Sequence, residues 1–481
     1  MPPVLALILC GGLVAALLSA ERGRNPEASP AVWIPTLWLL LSGAKPLGRW
    51  FEPTVGMASE EAGSLPDRLL LSALIILALL VIHRRRVQWS RVANDNIWLV
   101  ILFLYLGASV VWSDFPFVSF KRWIRLAGAI PVAMVVMSER SPLKALESCF
   151  RRCAYVLIPF SILLIKYFPA FGVEYSREGI KMWVGVASQK NSLGVICALS
   201  AFLIVWTFLR ERRAGTFLRA RPQALADGLV LCVAVYLLTG FRGVYPATAI
   251  GILLAGTVSL LFLRRAGNNV RRAAAFLVIM TVVGLLSLFY GDSLVSIATS
   301  AFNRDESFTG RSDIWDMVLG IASRNPWLGV GYGGYWGLQD ETVYAALGVR
   351  ESHSGYLDVY LEVGLVGILL LMAFLRSFYR QSIRQLGGPR EWGLFGVCLL
   401  IMSLIHGFTE SNFLRTAYLW SAMVFATVVF SGPLPRDNTA DGRAARGIGG
   451  EKPSCHDPLG RRFGGGRGPV PLRDLSRGLI E

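Results

Sequence analysis

Charged residues are scarce in this chain of 481 residues, and their scarcity bounds its class. Only 17% of the residues are charged, 54% are hydrophobic, and the mean hydropathy is +0.51. Apolar runs of nearly the length needed to cross a bilayer recur along most of the sequence. The composition therefore excludes an ordinary soluble domain and predicts a polytopic membrane protein of the all-α class.

Cysteine is also sparse. The seven cysteines form no CxxC pair, and none lies in the longest polar loop, which argues against a disulfide framework and against a zinc site. The net charge of +16 does not indicate nucleic acid, because the arginines cluster in short loops between apolar runs, as the positive-inside rule describes. No nucleic-acid partner is predicted, and membrane lipids are expected around the chain.

The lengths of the apolar runs predict about 12–13 transmembrane helices. The predicted spans lie near residues 4–20, 31–48, 68–83, 96–112, 124–137, 153–169, 190–209, 227–240, 244–263, 273–290, 355–375, 392–409 and 414–430. The first run resembles a secretory signal but lacks a basic n-region, so we expect it to be retained as a span.

The charge of the loops predicts the orientation. The arginine-rich loops that should face the cytoplasm are 83–91, 210–221, 264–272 and 376–390. The opposite, external side then receives 113–120, 170–189, 239–243 and one long loop, 291–354. The tail 431–481 is rich in glycine, proline and arginine and is expected to be disordered and cytoplasmic.

The long external loop contains one segment with helical periodicity. Its apolar face is formed by Ile314, Trp315, Val318, Ile321 and Ala322. We interpret Ser312 as the N-cap and Asn325-Pro326 as the stop signal. The pattern predicts an amphipathic helix that lies on the membrane surface or over the spans.

Arg311 would stand just before the N-terminus of this helix. Free backbone N–H groups and the helix dipole favour an anion there, so Arg311 is a candidate phosphate ligand. An ion pair with Asp305 or Glu306 is the alternative. Further on, Gly329, Gly331 and Gly334 match G-x-G-x-x-G, but no βαβ unit surrounds them. We expect these glycines to permit tight turns instead.

His353, one of only four histidines, lies where the long polar loop enters the apolar run 355–375. Because histidine titrates near neutrality, a partly desolvated imidazole at this boundary can accept a proton from a hydroxyl. Glu351 and Glu362 are candidates to orient it. The alternative is an interfacial histidine that only anchors a helix end.

Four further cations are candidate phosphate ligands at the same side. Arg242 lies in a very short turn between two spans, where a charge is costly unless it has a partner, and a guanidinium suits a pyrophosphate. Lys190 starts a span, with snorkelling as its alternative role. Arg122 and Arg125, beside Lys121, depart from the positive-inside pattern. They are either phosphate contacts or a local exception to the pattern.

Five segments in this order resemble the O-antigen ligase-related membrane proteins, which include O-antigen ligases, O-antigen polymerases and exopolysaccharide polymerases. The segments are S-Q-K-N-S-L-G (188–194), T-G-F-R-G (239–243), T-G-R-S-D-I-W (309–315), N-P-W-L-G-V-G-Y-G (325–333) and H-S-G-Y-L-D-V-Y-L-E-V-G-L-V-G (353–367). The resemblance divides the chain into an N-terminal bundle (1–187), the ligase-related core (188–375), C-terminal helices (376–430) and the basic tail.

The resemblance implies a glycosyltransferase of the bacterial inner membrane, active in lipopolysaccharide or exopolysaccharide biosynthesis. It would transfer a glycan from a polyprenyl (undecaprenyl) pyrophosphate carrier to a glycan or lipid acceptor at the external face, without a metal or cofactor. His353 matches the family's essential loop histidine, and Arg311 and Arg242 match the arginines thought to hold the pyrophosphate. Lys190, Arg122, Arg125 and Glu351 are the predicted substrate-binding residues.

Two other function classes remain open at this stage. A transporter or flippase would use intramembrane charges such as Asp358, Glu362, Lys166 and His406 as a coupling path, although the sequence shows no inverted repeat. A non-catalytic scaffold would explain the spans but not the placement of Arg311 and His353.

Overall fold

The computed structural model describes residues 1–51, 64–175, 179–215, 221–240, 247–290, 306–336 and 351–432. In chain order the helices are α1 (Pro3–Arg24), α2 (Trp33–Gly43), α3 (Gly48–Phe51), α4 (Leu65–Arg84), α5 (Trp89–Asp95), α6 (Ile97–Ser109), α7 (Pro116–Ala127), α8 (Ala129–Met137), α9 (Pro142–Tyr167), α10 (Pro169–Gly172), α11 (Lys190–Arg213), α12 (Arg221–Thr239), α13 (Ala247–Arg265), α14 (Val270–Tyr290), α15 (Glu306–Ala322), α16 (Gly355–Gln385), α17 (Arg390–Thr409) and α18 (Tyr418–Ser431). Two short antiparallel strands, β1 (Val173–Tyr175) and β2 (Lys181–Trp183), pair with Val173 opposite Trp183.

The all-α membrane fold predicted from composition is confirmed. Nine helices in the described part of the chain are long and apolar enough to cross a bilayer, and α5 and α6, bent by 96° from each other, make a tenth if the pair is one broken span rather than a re-entrant loop. Two shorter apolar helices, Pro30–Gly43 and Tyr418–Ser431, would bring the number to the predicted twelve only if they also cross the bilayer.

Three predicted spans differ in detail. The span 31–48 ends at Gly43, and 414–430 begins only at Tyr418. The span 124–137 is instead the pair α7 and α8, which meet at Gly128. A Cβ atom at Gly128 would lie 2.5 Å from Ile75 Cδ1, so the small residue lets the chain pack closely at this bend.

The polar segments predicted to share one side do meet at one end of the bundle. Asn191 contacts Glu410, Gln189 contacts Glu351, and Arg122 binds the carbonyl oxygens of Gly333 and Trp336. We call this the histidine end, defined by Arg122, Asn191, Tyr332, His353 and Arg415. The opposite arginine end carries Arg24, Arg85, Arg151, Arg210 and Arg264, all in ion pairs with carboxylates.

The helix α16 is interrupted at Gly364, whose φ is +64°. The glycine-containing segment 326–336 fills this break: Val330 N donates to Leu361 O (3.0 Å), Gly331 N donates to Glu362 O (2.8 Å), and Leu365 N donates to Pro326 O (2.9 Å). The segment thus satisfies backbone groups that the broken helix leaves unpaired. This confirms that the glycines serve turns, since Gly329 and Gly331 also have positive φ.

The amphipathic helix predicted in the long loop is α15. Its face is confirmed, because Ile314, Val318 and Ala322 are buried with Trp336 and Leu361. The helix therefore packs over the spans, against α16. The predicted disorder of 433–481 concerns residues outside the described part of the chain.

Candidate active site at the histidine end

His353 lies between two carboxylates. Its Nδ1 is 3.3 Å from Glu351 Oε1 and 3.6 Å from Glu410 Oε2. The Glu410 side chain is buried, whereas His353 and Glu351 each remain a quarter exposed. A proton on Nδ1, facing the carboxylates, leaves the lone pair on Nε2, which is the arrangement of a histidine base oriented by an acid.

The backbone of His353 is held in the left-handed region, with φ of +53°. Such a conformation costs on the order of 1–3 kcal/mol for a residue other than glycine, although histidine and asparagine tolerate it better than most. The flanking serines stabilise it, since Ser352 Oγ donates to Ser354 O (2.8 Å) and accepts from Ser354 N (3.1 Å). The turn therefore fixes where the imidazole points.

Two neighbouring elements hold this turn in place. Trp315, on α15, donates from Nε1 to Ser352 O (3.0 Å), and Asp358, in the first turn of α16, accepts from Ser352 N (3.3 Å). Gly355 N donates to the carbonyl oxygen of Glu410 (3.1 Å), which ties the start of α16 to the end of α17. The loop helix and both spans thus position His353.

A small polar cavity adjoins the two carboxylates. Its polar wall is formed by Ser42, Gln189, Asn191, Glu351, His406, Glu410, Ser411 and Asn412. Asn191 Nδ2 donates to Glu410 Oε1 (2.7 Å), and Gln189 Nε2 lies 3.5 Å from Glu351 Oε1. Neither amide atom of the buried Asn412 has a hydrogen-bond partner among the described residues. This wall can therefore donate to and accept from hydroxyl groups of a bound molecule.

Burial raises the pKa of the Glu351 carboxyl, while His353 opposes this shift and the Glu410 carboxylate adds to it. The physical reason is that two acids share one partly desolvated site. Glu351, His353 and Glu410 could also hold a divalent cation, because their ligand atoms lie within 4.8 Å of one another. The same three groups thus fit either a proton-transfer site or a metal site.

A second pocket beside this cluster is rich in arginine. It is lined by Arg122, Arg125, Tyr332, Glu362, Leu414 and Arg415, among others. The guanidinium groups of Arg122 and Arg125 carry like charges in this pocket, and the Asp67 carboxylate lies near enough to attract Arg125. An arginine stays charged at any physiological pH. An anion placed here would relieve the repulsion between Arg122 and Arg125.

Arg415, which lines the second pocket, is linked through Asp358 to the loop beside His353. Its Nη2 lies 3.3 Å from both Asp358 Oδ2 and Glu362 Oε1. Burial lowers the pKa of this guanidinium, but the Glu362 and Asp358 carboxylates outweigh burial and raise it. Asp358 in turn accepts from the Ser352 backbone, next to His353. The carboxylates named as a transport path therefore bind an arginine and the loop.

The structure places the predicted site residues unevenly. His353, Glu351, Arg122 and Arg125 lie at the histidine end, and α11 begins at Lys190 as predicted. The placement of Arg311 before a helix N-terminus is wrong, because α15 begins at Glu306 and includes Arg311 in its second turn.

The start of α15 has a physical reason. No proline interrupts residues 306–311, and an acidic residue such as Glu306 is favourable at the positive end of the helix dipole. The helix can therefore begin before Ser312, at Glu306. The Arg311 side chain and the whole of Arg242 lie outside the described residues, as does the alternative ion pair of Arg311. Their predicted roles stay predictions.

Sequence reasoning missed Glu410, Asn412 and Arg415. All three lie between α17 and α18, in a polar stretch of which the predicted span 414–430 included Arg415. The available signal was the cluster T-E-S-N at 409–412, followed by one arginine between two apolar runs. Gln189 and Asn191 flank the predicted Lys190 and contact the carboxylates themselves.

Comparison with known proteins gives two matches. The family model Wzy_C, described as O-antigen ligase, matches residues 228–372. Over 347 residues the chain is 24% identical to "Exopolysaccharide production protein ExoQ" of Rhizobium meliloti (strain 1021), which covers 69% of this chain and 76% of that relative. Together with the multi-pass helical fold, these matches show that the chain is similar to the O-antigen ligase-related membrane proteins of bacterial polysaccharide biosynthesis.

Proposed function

We propose that this protein transfers a glycan from a polyprenyl pyrophosphate carrier to an acceptor hydroxyl at the external face of the bacterial inner membrane. The observation that carries the proposal is His353, oriented by Glu351 and Glu410 beside the pocket of Arg122, Arg125 and Arg415. A base next to a site for anions is what such a transfer requires. The relative's name, which refers to exopolysaccharide production, supports the same process.

In this reaction the acceptor oxygen attacks the anomeric carbon of the donor glycan. The bond between that carbon and the pyrophosphate oxygen breaks, and the pyrophosphate leaves with the electron pair on the polyprenyl carrier. His353 Nε2 takes the proton of the acceptor hydroxyl, a contribution of about 10²–10⁴-fold. Arginines stabilise the charge that develops on the leaving pyrophosphate, so neither a nucleotide sugar nor a metal is needed.

Arg311 and Arg242 are proposed to bind the pyrophosphate from the long loop and from the turn between α12 and α13. A guanidinium can donate two parallel hydrogen bonds to a phosphate, which a lysine cannot do. Lys190 and Glu351 are proposed to contact the donor or the acceptor. The polar cavity lined by Asn191 and Asn412 offers amide groups of the kind that bind sugar hydroxyls.

The test is a strain that lacks the protein. The proposal predicts that it accumulates glycan on the lipid carrier while the carrier is still flipped across the membrane. The product then separates the two family activities: loss of a polymerase leaves single repeat units, whereas loss of a ligase leaves long chains on the carrier. Normal glycan output would contradict the proposal, and a block in flipping would indicate a transporter.

The orientation is tested with tags. Tags in 210–226, in 264–272 and after 431 should report the cytoplasm, and a tag in 291–354 should report the external side, because arginines cluster in the former loops. If a tag in 291–354 reports the cytoplasm, the candidate site lies on the opposite face of the membrane from the donor, which would contradict the proposal.

A further inference from the structure

A groove on the bundle surface runs between α4 and α7 at the histidine end. Its volume is about 260 Å³, and its lining residues are Asp67, Arg68, Leu71, Ser72, Ile75, Val118, Lys121, Arg122, Ile124 and Arg125. Neighbouring residues of α4, such as Leu69 and Ile76, are exposed apolar side chains on a predicted span and therefore face lipid. The groove thus opens toward the bilayer.

The two parts of the groove differ in chemistry. Leu71, Ile75, Val118 and Ile124 provide an apolar wall, whereas Arg68, Lys121, Arg122 and Arg125 provide the cations. The single lining acid, Asp67, already accepts a hydrogen bond from Leu47 N (2.9 Å). The charge of the groove is therefore complementary to an anion, and its walls to a hydrocarbon chain.

Arg122 and Arg125 line both this groove and the arginine pocket beside His353. Arg122 is fixed from the loop side, since its Nη1 donates to Gly333 O (2.6 Å) and Trp336 O (3.0 Å). Arg125 Nε is buried without a hydrogen-bond partner in the described part of the chain. A lipid in the groove would thus bring its head group to the edge of the site through two arginines.

We propose that the groove between α4 and α7 holds the isoprenoid chain of a polyprenyl diphosphate, with Arg122 and Arg125 at its diphosphate. The inference rests on the proposed function and adds the entry route of the donor. A diphosphate carries more than one negative charge, so it gains more from neighbouring cations than the single phosphate of a membrane phospholipid. Lys121, whose Nζ lies over the Phe117 ring (4.7 Å), stands at the same rim.

The experiment measures binding of a synthetic polyprenyl diphosphate without glycan to the purified full chain in detergent. Ser72→Trp fills the groove from an exposed position, and Leu77→Trp is its control on α4, since Leu77 is exposed but does not line the groove. Arg125→Gln removes one cation, and Arg91→Gln, at an exposed position of the arginine end, is the control for charge.

We expect Ser72→Trp and Arg125→Gln each to weaken binding about tenfold or more, in keeping with one lost charge-assisted hydrogen bond or a blocked chain site. Both controls should bind like the wild type, and phosphatidylglycerol should compete poorly. The proposed lipid site would be overturned by unchanged affinity in Ser72→Trp, by an equal loss of affinity in Leu77→Trp, or by full competition from phosphatidylglycerol.

Glycan transfer is measured separately with the lipid-linked donor. If Ser72→Trp transfers glycan with an unchanged KM for the donor, the groove is not the lipid site, and the proposed function is unaffected. Binding of the diphosphate without any transfer by the wild type would contradict the proposed function instead, while the groove would stand.

Discussion

At the arginine end, carboxylates are paired with guanidinium groups, as Asp358 and Glu362 at the histidine end are with Arg415, whereas Glu351 and Glu410 at the histidine end face an imidazole, amides and a cavity. Glu147 accepts from Arg151 (2.8 Å) and Arg210 (2.6 Å), and all these atoms lie among packed helices. Glu410 instead accepts from Asn191 (2.7 Å) and lies 3.6 Å from His353 at a cavity wall. The first arrangement neutralises charge and holds helices together, whereas the second leaves polar groups at the wall of a cavity.

The comparison separates stability from chemistry. Removing a partner at the arginine end leaves a buried charge without compensation, which acts on folding. Removing a group at the histidine end should act on turnover, because the fold there depends on backbone contacts such as those around Gly364. Substitutions at the two ends can test this division.

The largest effect on folding is expected for Arg151→Ala at the arginine end. Arg151 is buried and binds both Glu147 and Asp227, so the change should lower the free energy of unfolding by about 3–5 kcal/mol. The amount of folded protein in the membrane and its thermal stability are the measurements. Arg140→Ala, at an exposed arginine nearby, is the control. Normal stability with lost transfer would contradict the assignment of this end.

Arg311→Lys should reduce transfer by about 10–100-fold with normal expression, since lysine keeps the charge but loses the paired hydrogen bonds of a guanidinium. The measurement is the turnover of the purified protein with lipid-linked donor. Arg324→Lys, at an exposed arginine just after α15, should have no effect. Full activity of Arg311→Lys would mean that Arg311 does not bind the pyrophosphate through paired hydrogen bonds.

Glu410→Gln should lower kcat by about tenfold while the KM for the donor changes little. The amide keeps an oxygen for Asn191 but removes the negative charge beside His353, which would orient and stabilise the protonated imidazole. Glu174→Gln, in β1, is the matched control. A change confined to the amount of folded protein would indicate a structural role for Glu410.

Glu351→Gln should shift the pH profile rather than abolish activity. Burial raises the pKa of Glu351, so its charge appears only above the usual range and is present on the alkaline side of that pKa. There the carboxylate favours a protonated imidazole, which cannot accept a proton. Its removal should therefore move the acidic limb of the profile to lower pH; a shift to higher pH would contradict this arrangement.

The smallest effect is expected from metal removal. Glu351, His353 and Glu410 could ligate a cation, but the proposed reaction uses His353 as a base. Turnover after treatment with EDTA should equal that of the untreated protein. Loss of turnover that a divalent metal restores would make the cluster a metal centre.

Sequence alone predicted the parts of the molecule that depend on local pattern. The spans follow from apolar length, and the buried face of α15 follows from the spacing of Ile314, Val318 and Ala322. The predicted start of α15 at Ser312 was wrong, since the helix begins at Glu306. A serine is a favourable N-cap, but this preference does not prevent a helix from beginning earlier in the chain. The Gly364 break was not foreseen, since its partners come from 326–336, distant in sequence.

The same division between local and distant contacts applies to the candidate site. His353 and Glu351 lie in one stretch and were found together, whereas Glu410 and Arg415 reach them only through the packing of α16 against α17 and the following loop. Contacts between distant segments depend on tertiary structure, which no local spacing encodes. Arg122 and Arg125 were predicted as substrate-binding residues from their departure from the charge pattern, and the structure adds that both line the same two pockets.

The most direct test of the account is glycan transfer in vitro by purified His353→Asn with a synthetic lipid-linked donor. Asparagine tolerates the left-handed backbone at position 353 but cannot act as a base, so the fold is retained while proton transfer is lost. His83→Asn, at the opposite end, is the control. We predict at least about a hundredfold loss of turnover with normal donor binding; turnover near that of the wild type would contradict the account.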